Sequence, residues 1–299
     1  MHTRLLALLS DALGPAQAAN ELRWMNRALD SRLSLNDMVA RRVRGEPLQY
    51  ILGTPSLQIL LSLPAHYTSG TQPFGPLNLL VRPPVLIPRP ETEHWVLRLA
   101  DSFLPTATVP VSLLDLGTGS GCIPLLLCHL WPPGTVNAHG VDISPHALRL
   151  AQDNAELCGI PSRLGLTKNP QNTFTTSSAN FLAKDFKDAA LSAYPRFDII
   201  TSNPPYIPWK EFLELPPSVI DFEDPRALFG GPSGLEFYHA ISRLISHKDI
   251  LNPGAIVALE VGHDQASAVQ ALMHDTGCFL RTEIWLDPWG KQRTVIARM

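Results

Sequence analysis

The residues with the clearest chemical promise are Asn203-Pro204-Pro205-Tyr206. They follow the apolar run Phe197 to Ile200, which reads as a short buried strand. Two successive prolines stop that strand, because neither offers an N–H to a sheet ladder and each fixes its own φ. The chain therefore leaves the sheet on a stiff backbone that gathers an amide side chain, proline carbonyls and an aromatic ring in a small volume. Acceptors held this way suit a planar –NH2 group. In isolation a proline turn that merely closes a strand has the same letters, so the reading depends on a cofactor site elsewhere in the chain.

Leu113-Leu114-Asp115-Leu116-Gly117-Thr118-Gly119-Ser120-Gly121 supplies one. Gly117, Gly119 and Gly121, with Thr118 and Ser120 between them, let the backbone turn tightly and approach a ligand, and the helix start behind them offers unpaired N–H groups. A dinucleotide fingerprint needs glycine at its first, third and sixth positions, and Cys122 stands sixth here, so the ligand expected is one without a pyrophosphate. Asp142 ends the next apolar run, where a carboxylate can take both hydroxyls of a ribose; Ser144 already fills the helix-cap place that would otherwise explain it. Asp185-Phe186, further on, could hold an adenine by hydrogen bonding and ring contact, and the spacing fits a solvated loop acid equally well. Asp115 is expected to brace the glycine amides. Together these residues read as a site for S-adenosylmethionine, with the Asn203 loop where the sulfonium methyl points.

The elements that must carry them alternate between strand and helix after Pro110, the pattern of a parallel sheet with helices on its faces. Strands are expected at Val111 to Leu116, Val136 to Val141, Arg163 to Thr167 or just after, Phe197 to Thr201 and Ala255 to Val261. Leu280 to Leu286 and Gln292 to Arg298 have no helix between them and read as a closing antiparallel pair. The polar stretch Lys168 to Ser178 reads as a surface loop. Upstream, residues 1–53 form a small helical domain, with apolar faces at Leu5, Leu8 and Leu9, at Leu22, Met25, Leu29 and Leu33, and at Leu35, Met38, Val39 and Val43. Ser34 with Asp37 marks a helix start. Residues 54–90 carry eight prolines and read as a linker, with a hairpin pairing Leu77 to Val81 with Val85 to Ile87. Residues 91–299 form the third part, entered by a helix that Pro88-Arg89-Pro90-Glu91-Thr92-Glu93 opens.

A hydrophobic content of 45% with 17% charged residues describes a globular chain with ample core material. A net charge of −3 leaves no basic footprint for nucleic acid, and the longest apolar run, near Leu57 to Leu63, is too short to span a bilayer. Four cysteines without a C-x-x-C pair argue against structural zinc, and no bound metal is expected. The segment Met1 to Ala18 has no acid before Asp11, which fits either a transit-peptide remnant or the first helix of a folded domain.

Asn203-Pro204-Pro205-Tyr206 after a strand, with Asp115 to Gly121 before it, resembles the class I methyltransferases that act on an exocyclic or amide nitrogen. Tyr50-Ile51-Leu52-Gly53, Leu86 to Glu93, and Glu223-Asp224-Pro225-Arg226-Ala227-Leu228 before Gly230-Gly231 narrow this to a resemblance to the HemK-type glutamine-N5 methyltransferases of peptide-chain release factors, covering most of residues 40–299. The resemblance implies an α/β fold, a seven-stranded Rossmann-like class I methyltransferase sheet with a small all-helical N-terminal domain. It also implies the substrate, the glutamine of a Gly-Gly-Gln loop, which Asn203, Pro204, Pro205 and Tyr206 would grip beside S-adenosylmethionine. Thr54 to Gly70 departs from the family's run and reads as an insertion or a gene-model artefact. The rival reading is a DNA adenine or cytosine amino methyltransferase, which the acidic charge balance and the lack of a large target-reading insertion oppose. A monomer that methylates a release factor, binds no nucleic acid or membrane, and works in the mitochondrion rather than the cytoplasm is the resulting expectation.

Overall fold

The computed structural model describes residues 2–28, 33–52, 70–106, 110–162, 170–192, 194, 196–216 and 220–299. The reading of Thr54 to Gly70 as an insertion falls almost wholly outside them. Contacts divide the chain into two compact units, residues 1–73, 78–87 and 215–224, and residues 74–77, 88–214 and 225–299.

The first unit is built on helices α1 (His2–Leu13), α2 (Pro15–Arg27), α3 (Leu35–Val43) and α4 (Leu48–Leu52). Their apolar stripes meet in one core of Leu5, Leu9, Ala18, Leu22, Met25, Leu35, Met38, Val39 and Ile51. The described residues 2–18 thus lie in and between α1 and α2 and give Leu5, Leu9 and Ala18 to that core. Ser34 and Asp37 form a reciprocal capping box at the start of α3, and Arg42 on α3 reaches Glu21 on α2 at 2.7 Å.

A two-stranded sheet pairs β1 (Thr71–Phe74) with β2 (Leu77–Leu80). The hairpin therefore lies one strand earlier than its expected place. Gly75 makes the turn with φ 57°, which suits a residue without a Cβ, whereas Pro83-Pro84 deprives the expected second strand of ladder donors.

The second unit holds a seven-stranded sheet in the order β5-β4-β3-β6-β7-β9-β8. Its strands are β3 (Val111–Leu116), β4 (Val136–Asp142), β5 (Thr173–Ser178), β6 (Phe197–Ser202), β7 (Leu251–Glu260), β8 (Arg281–Leu286) and β9 (Gln292–Arg298). Strands β5, β4, β3, β6 and β7 run parallel, and β9 is antiparallel to both β7 and β8. Helices α5 (Pro90–Ser102), α6 (Cys122–Leu130), α7 (Pro145–Leu157), α8 (Trp209–Phe212), α9 (Glu236–Ile245) and α10 (Ala266–Asp275) complete it. Strand order reverses between β3 and β6, and open α/β sheets bind ligands outside the carboxyl ends of their strands at such a switch point.

One strand overturns its sequence reading. Thr173 to Ser178, expected within a surface loop, is the edge strand β5, paired in register with β4 from Asn137↔Thr173 to Asp142↔Ser178. An edge strand has one neighbour and tolerates polar side chains where their hydroxyls find partners. Here Thr175 and Ser177 flank the ring of His139, each at 2.8 Å, and only Phe174 faces the apolar core.

Candidate active site

Backbone bonds from Gly117 and Thr118 to the Val141 carbonyl, at 2.8 and 3.0 Å, hold the glycine loop against the end of β4. Gly117, Gly119 and Gly121 have φ of 70°, 55° and 79°, a region that side chains with a Cβ enter at a cost. Their surroundings differ. A Cβ on Gly121 would press on Leu125, Ala151 and Phe174 at 3.2–3.4 Å, so this glycine serves packing. A Cβ on Gly119 would meet nothing closer than the Gly117 carbonyl at 4.0 Å, and one on Gly117 only the Phe181 ring at 3.7 Å. Those two positions leave an open cradle of backbone. Thr118 and Ser120, between the glycines, are buried.

Of the two acids beside the loop, Asp142 takes the bracing role expected of Asp115, and Asp115 lies inside the sheet. Asp142, not Asp115, braces the glycines: its Oδ2 accepts from the Gly119 N–H at 2.9 Å and its Oδ1 from the Ser144 N–H at 2.8 Å. Carboxylate oxygens accept more than one hydrogen bond each, so bracing the loop and meeting a ribose hydroxyl are compatible. Asp115 is wholly buried and accepts from the Thr201 hydroxyl at 2.7 Å, which ties β3 to β6. Among the described residues, its Oδ2 and the neighbouring Thr118 Oγ1 make no hydrogen bond of good geometry, although the two groups are close enough to interact. Burial raises the Asp115 carboxyl to about 7, against the lowering effect of the Thr118 and Thr201 hydroxyls.

Asp185 and Phe186 do not meet the cradle as expected. Asp185 is exposed, and its carbonyl accepts from Ala189 in the turn that follows. Phe186 is buried in the main core with Leu191 and Phe197. The ring beside Gly117 belongs to Phe181, three residues past the end of β5. Sequence reading missed it because the strand that delivers it was read as loop; with β5 in place, Asn180-Phe181 falls at the strand end where an adenine contact is sought.

Asn203 begins the loop after β6, level with the glycine loop, since Leu116 pairs with Ser202 and the Ser202 hydroxyl bonds the Leu116 carbonyl at 2.7 Å. Pro204 is buried; Asn203, Pro205 and Tyr206 are half-buried. The Tyr206 ring lies against the main core, and burial holds its hydroxyl well above the usual phenol range. The loop is clamped along its length: Gln265 Nε2 donates to the Tyr206 carbonyl at 2.8 Å, Ile207 N–H to Leu228 at 3.0 Å, and Gly230 N–H to Ile207 at 2.9 Å. The Asn203 Nδ2 donates to Thr92 Oγ1 at 3.3 Å. Thr92, on the first turn of α5, was noticed only as part of a helix start.

Parts of the other stretches quoted for the family resemblance meet within the first unit. Tyr50 Oη donates to the Val85 carbonyl at 2.7 Å, the Ile87 N–H to Glu223 Oε1 at 3.4 Å and the Asp224 N–H to the Pro84 carbonyl at 2.7 Å.

The second unit, with a cradle at the end of β3 and a clamped asparagine–diproline loop at the end of β6, is built as Rossmann-like methyltransferases are. A crystal structure of a methyltransferase from Pyrococcus furiosus superposes on 74% of this chain and 88% of its own, with a TM-score of 0.50 and 18% identity, a likeness of fold. The family model described as ribosomal protein L11 methyltransferase (PrmA) matches residues 91–194, a span that ends before β6. Release factor glutamine methyltransferases match over far more. Those of Geobacter sulfurreducens, Moorella thermoacetica and Lactococcus lactis are 37%, 35% and 33% identical, over 88%, 98% and 92% of this chain and 76%, 84% and 88% of theirs. The chain belongs to the release factor glutamine methyltransferases. All three relatives are bacterial, and they lend no support to a mitochondrial location. Among the described residues no helix is long and apolar enough to cross a membrane.

Proposed function

We propose that this protein transfers a methyl group from S-adenosylmethionine to the side-chain amide nitrogen of the glutamine in the Gly-Gly-Gln loop of a peptide-chain release factor. The observation that carries the reading is the hydrogen bond of Asn203: its Nδ2 donates to Thr92 Oγ1, which leaves Oδ1, an acceptor, for the substrate.

The backbone cradle at Gly117 and Gly119, the Asp142 carboxylate and the Phe181 ring fit the methionine, ribose and adenine portions of the cofactor, with open space where a Cβ would otherwise stand. When bound, the cofactor supplies an electrophilic methyl group. Everything else falls to this chain. A glutamine amide nitrogen is a poor nucleophile because its lone pair is shared with the carbonyl. Asn203 Oδ1 and the Pro204 carbonyl accept its two hydrogens, which fixes the nitrogen in place and favours the positive charge that grows on it during transfer. Tyr206 packs against the amide plane. The diproline backbone and the clamps on Tyr206 and Ile207 keep these acceptors from relaxing away. No general base is required before the nitrogen–carbon bond forms; the surplus proton leaves to solvent afterwards.

The test is methyl transfer from labelled cofactor to an intact release factor, to its variant with the loop glutamine changed to alanine, and to duplex DNA. Label is expected in the first alone. Replacing Asn203 with alanine should lower transfer at least about a hundredfold, the scale of losing one preorganised polar contact, with cofactor affinity nearly unchanged. Label in DNA, or equal loss of transfer and cofactor binding in the variant, would overturn the reading.

A further inference from the structure

Behind Asn203 runs a polar chain that the transfer chemistry above does not use. Thr92 Oγ1 donates to Glu260 Oε2 at 2.6 Å, and Trp95 Nε1 donates to the same oxygen at 2.9 Å. Thr92, Trp95 and Glu260 are each about 1% exposed. Glu260 closes β7, two strands from the cradle at β3, and its carboxylate lies 168 residues from Thr92 in sequence. Burying a carboxylate in this way is costly unless its oxygens are well bonded. A tie between α5 and β7 alone would be met by any apolar pair of matching shape.

The donor inventory gives the chain a direction. An indole N–H can only donate, so Oε2 is an acceptor towards Trp95. The single hydroxyl proton of Thr92 also goes to Oε2, at the shorter distance. What Thr92 has left for Asn203 is lone pairs, so the asparagine must turn –NH2 to it and Oδ1 outward. An asparagine flipped about its last torsion would set oxygen against oxygen at Thr92 and present –NH2 to the substrate. Such a site would repel a donor amide and accept a carboxylate.

We propose that Thr92 and Glu260 are positioning residues that lock Asn203 with its acceptor outward, and that this lock makes the site select a side-chain amide over a carboxylate, glutamine over glutamate. The lock rests on the reading of Asn203 as the acceptor for the substrate amide. Trp95 supports it by holding Glu260 Oε2 from the other side.

Thr92→Val keeps the shape and removes the relay; Thr92→Ser keeps the hydroxyl. With the intact enzyme and release factor, Thr92→Val should lower kcat about tenfold or more, tenfold being the rate effect of ~1.4 kcal/mol in the barrier, while affinity for S-adenosylhomocysteine stays within about twofold. Thr92→Ser should recover kcat to within about threefold of wild type. A release factor carrying glutamate at the loop position should compete several-fold better against Thr92→Val than against wild type. Wild-type kcat in Thr92→Val, a kcat loss matched by cofactor affinity, or no change in glutamate competition would overturn the lock. Its second readout needs no turnover: in 15N spectra of the S-adenosylhomocysteine complex, the Asn203 side-chain amide protons should be protected in wild type and Thr92→Ser and exposed in Thr92→Val. A wild type that binds S-adenosylhomocysteine and shows this protection, yet leaves the release factor unmethylated, refutes the proposed substrate; unprotected protons refute the lock whatever the substrate.

Discussion

Gly230 is the position at which a single methyl group should separate folding from transfer. A Cβ there would stand 2.7 Å from the Tyr206 Cα, 2.8 Å from the Pro205 carbonyl oxygen and 2.8 Å from the Tyr206 carbonyl carbon. All three atoms are backbone, so no rotamer change relieves the contact. Ordinary contact begins near 3.4 Å, and Gly230→Ala must therefore push the Pro205-Tyr206 backbone outward by about 0.6 Å. The loop resists, because Gly230 and Ile207 are bonded N–H to carbonyl at 2.9 Å and Ile207 to Leu228 at 3.0 Å. Overpacking of this kind costs about 1–3 kcal/mol in stability. A shift of about 1 Å at a positioning group costs about a hundredfold in rate, so a shift of about half that size should lower kcat about tenfold. The cradle at Gly117 and Gly119 is on a different loop, so affinity for S-adenosylhomocysteine should hold. Gly254→Ala is the control: with φ 81° and no atom within 4 Å, near the amino end of β7, it should cost about 1 kcal/mol of stability from backbone strain and leave kcat alone. The assay is steady-state methylation of a release factor beside thermal melting. A folded Gly230→Ala enzyme with wild-type kcat would refute the claim that the backbone of this loop sets the geometry of transfer.

Two other substitutions probe the cofactor side. Phe181→Ala should weaken S-adenosylhomocysteine binding about tenfold, the scale of one lost base–aromatic contact, whereas Asp185→Ala should change it less than twofold; isothermal titration of both decides between the two strand-end assignments. Asp115, with its carboxyl raised from 3.8 to about 7 by burial, binds its proton more tightly folded than unfolded. It therefore contributes stability that is fully present below about pH 4 and lost as pH rises through about 7, by about 4 kcal/mol. The difference between wild type and Asp115→Asn in denaturant midpoint, followed across pH 4–8 without cofactor, should trace that loss; parallel curves would show that the acid is not protonated in the folded protein.

What was legible in the sequence was whatever a local pattern carries. The helical stripes of α1, α2 and α3, the alternation of strand and helix and the cradle glycines each occupy a short window, and the loop at Asn203 gains its meaning from the glycines. Two of the misreadings share a cause in β5. An edge strand of threonines and serines has no apolar alternation, since among the described residues its outer flank pairs with no strand and its hydroxyls are satisfied by His139 and Gln152. Once that strand is read as loop, the strand-end position for an adenine contact is placed five residues too late, at Asp185-Phe186 instead of Asn180-Phe181. The misplaced bracing role, given to Asp115 and held by Asp142, has another source. Both flank the glycines, but only the backbone path of the loop decides which carboxylate faces the Gly119 N–H.

The relay behind Asn203 was invisible for a deeper reason. Thr92 and Glu260 are 168 residues apart, each unremarkable in its own window, one in a helix start and the other at a strand end. Their relation exists only because α5 and β7 bring them within 2.6 Å, and its meaning lies in the direction in which protons are donated, from Asn203 to Thr92 to Glu260. An amide-recognising site needs that direction. The loop at Asn203 supplies an oxygen and a nitrogen of nearly equal size on one rotatable group, and shape alone does not choose between them. A buried carboxylate does, because, while ionised, it can only accept. The polarity of a group in the interior thus fixes which face of an asparagine a substrate meets at the surface of the site.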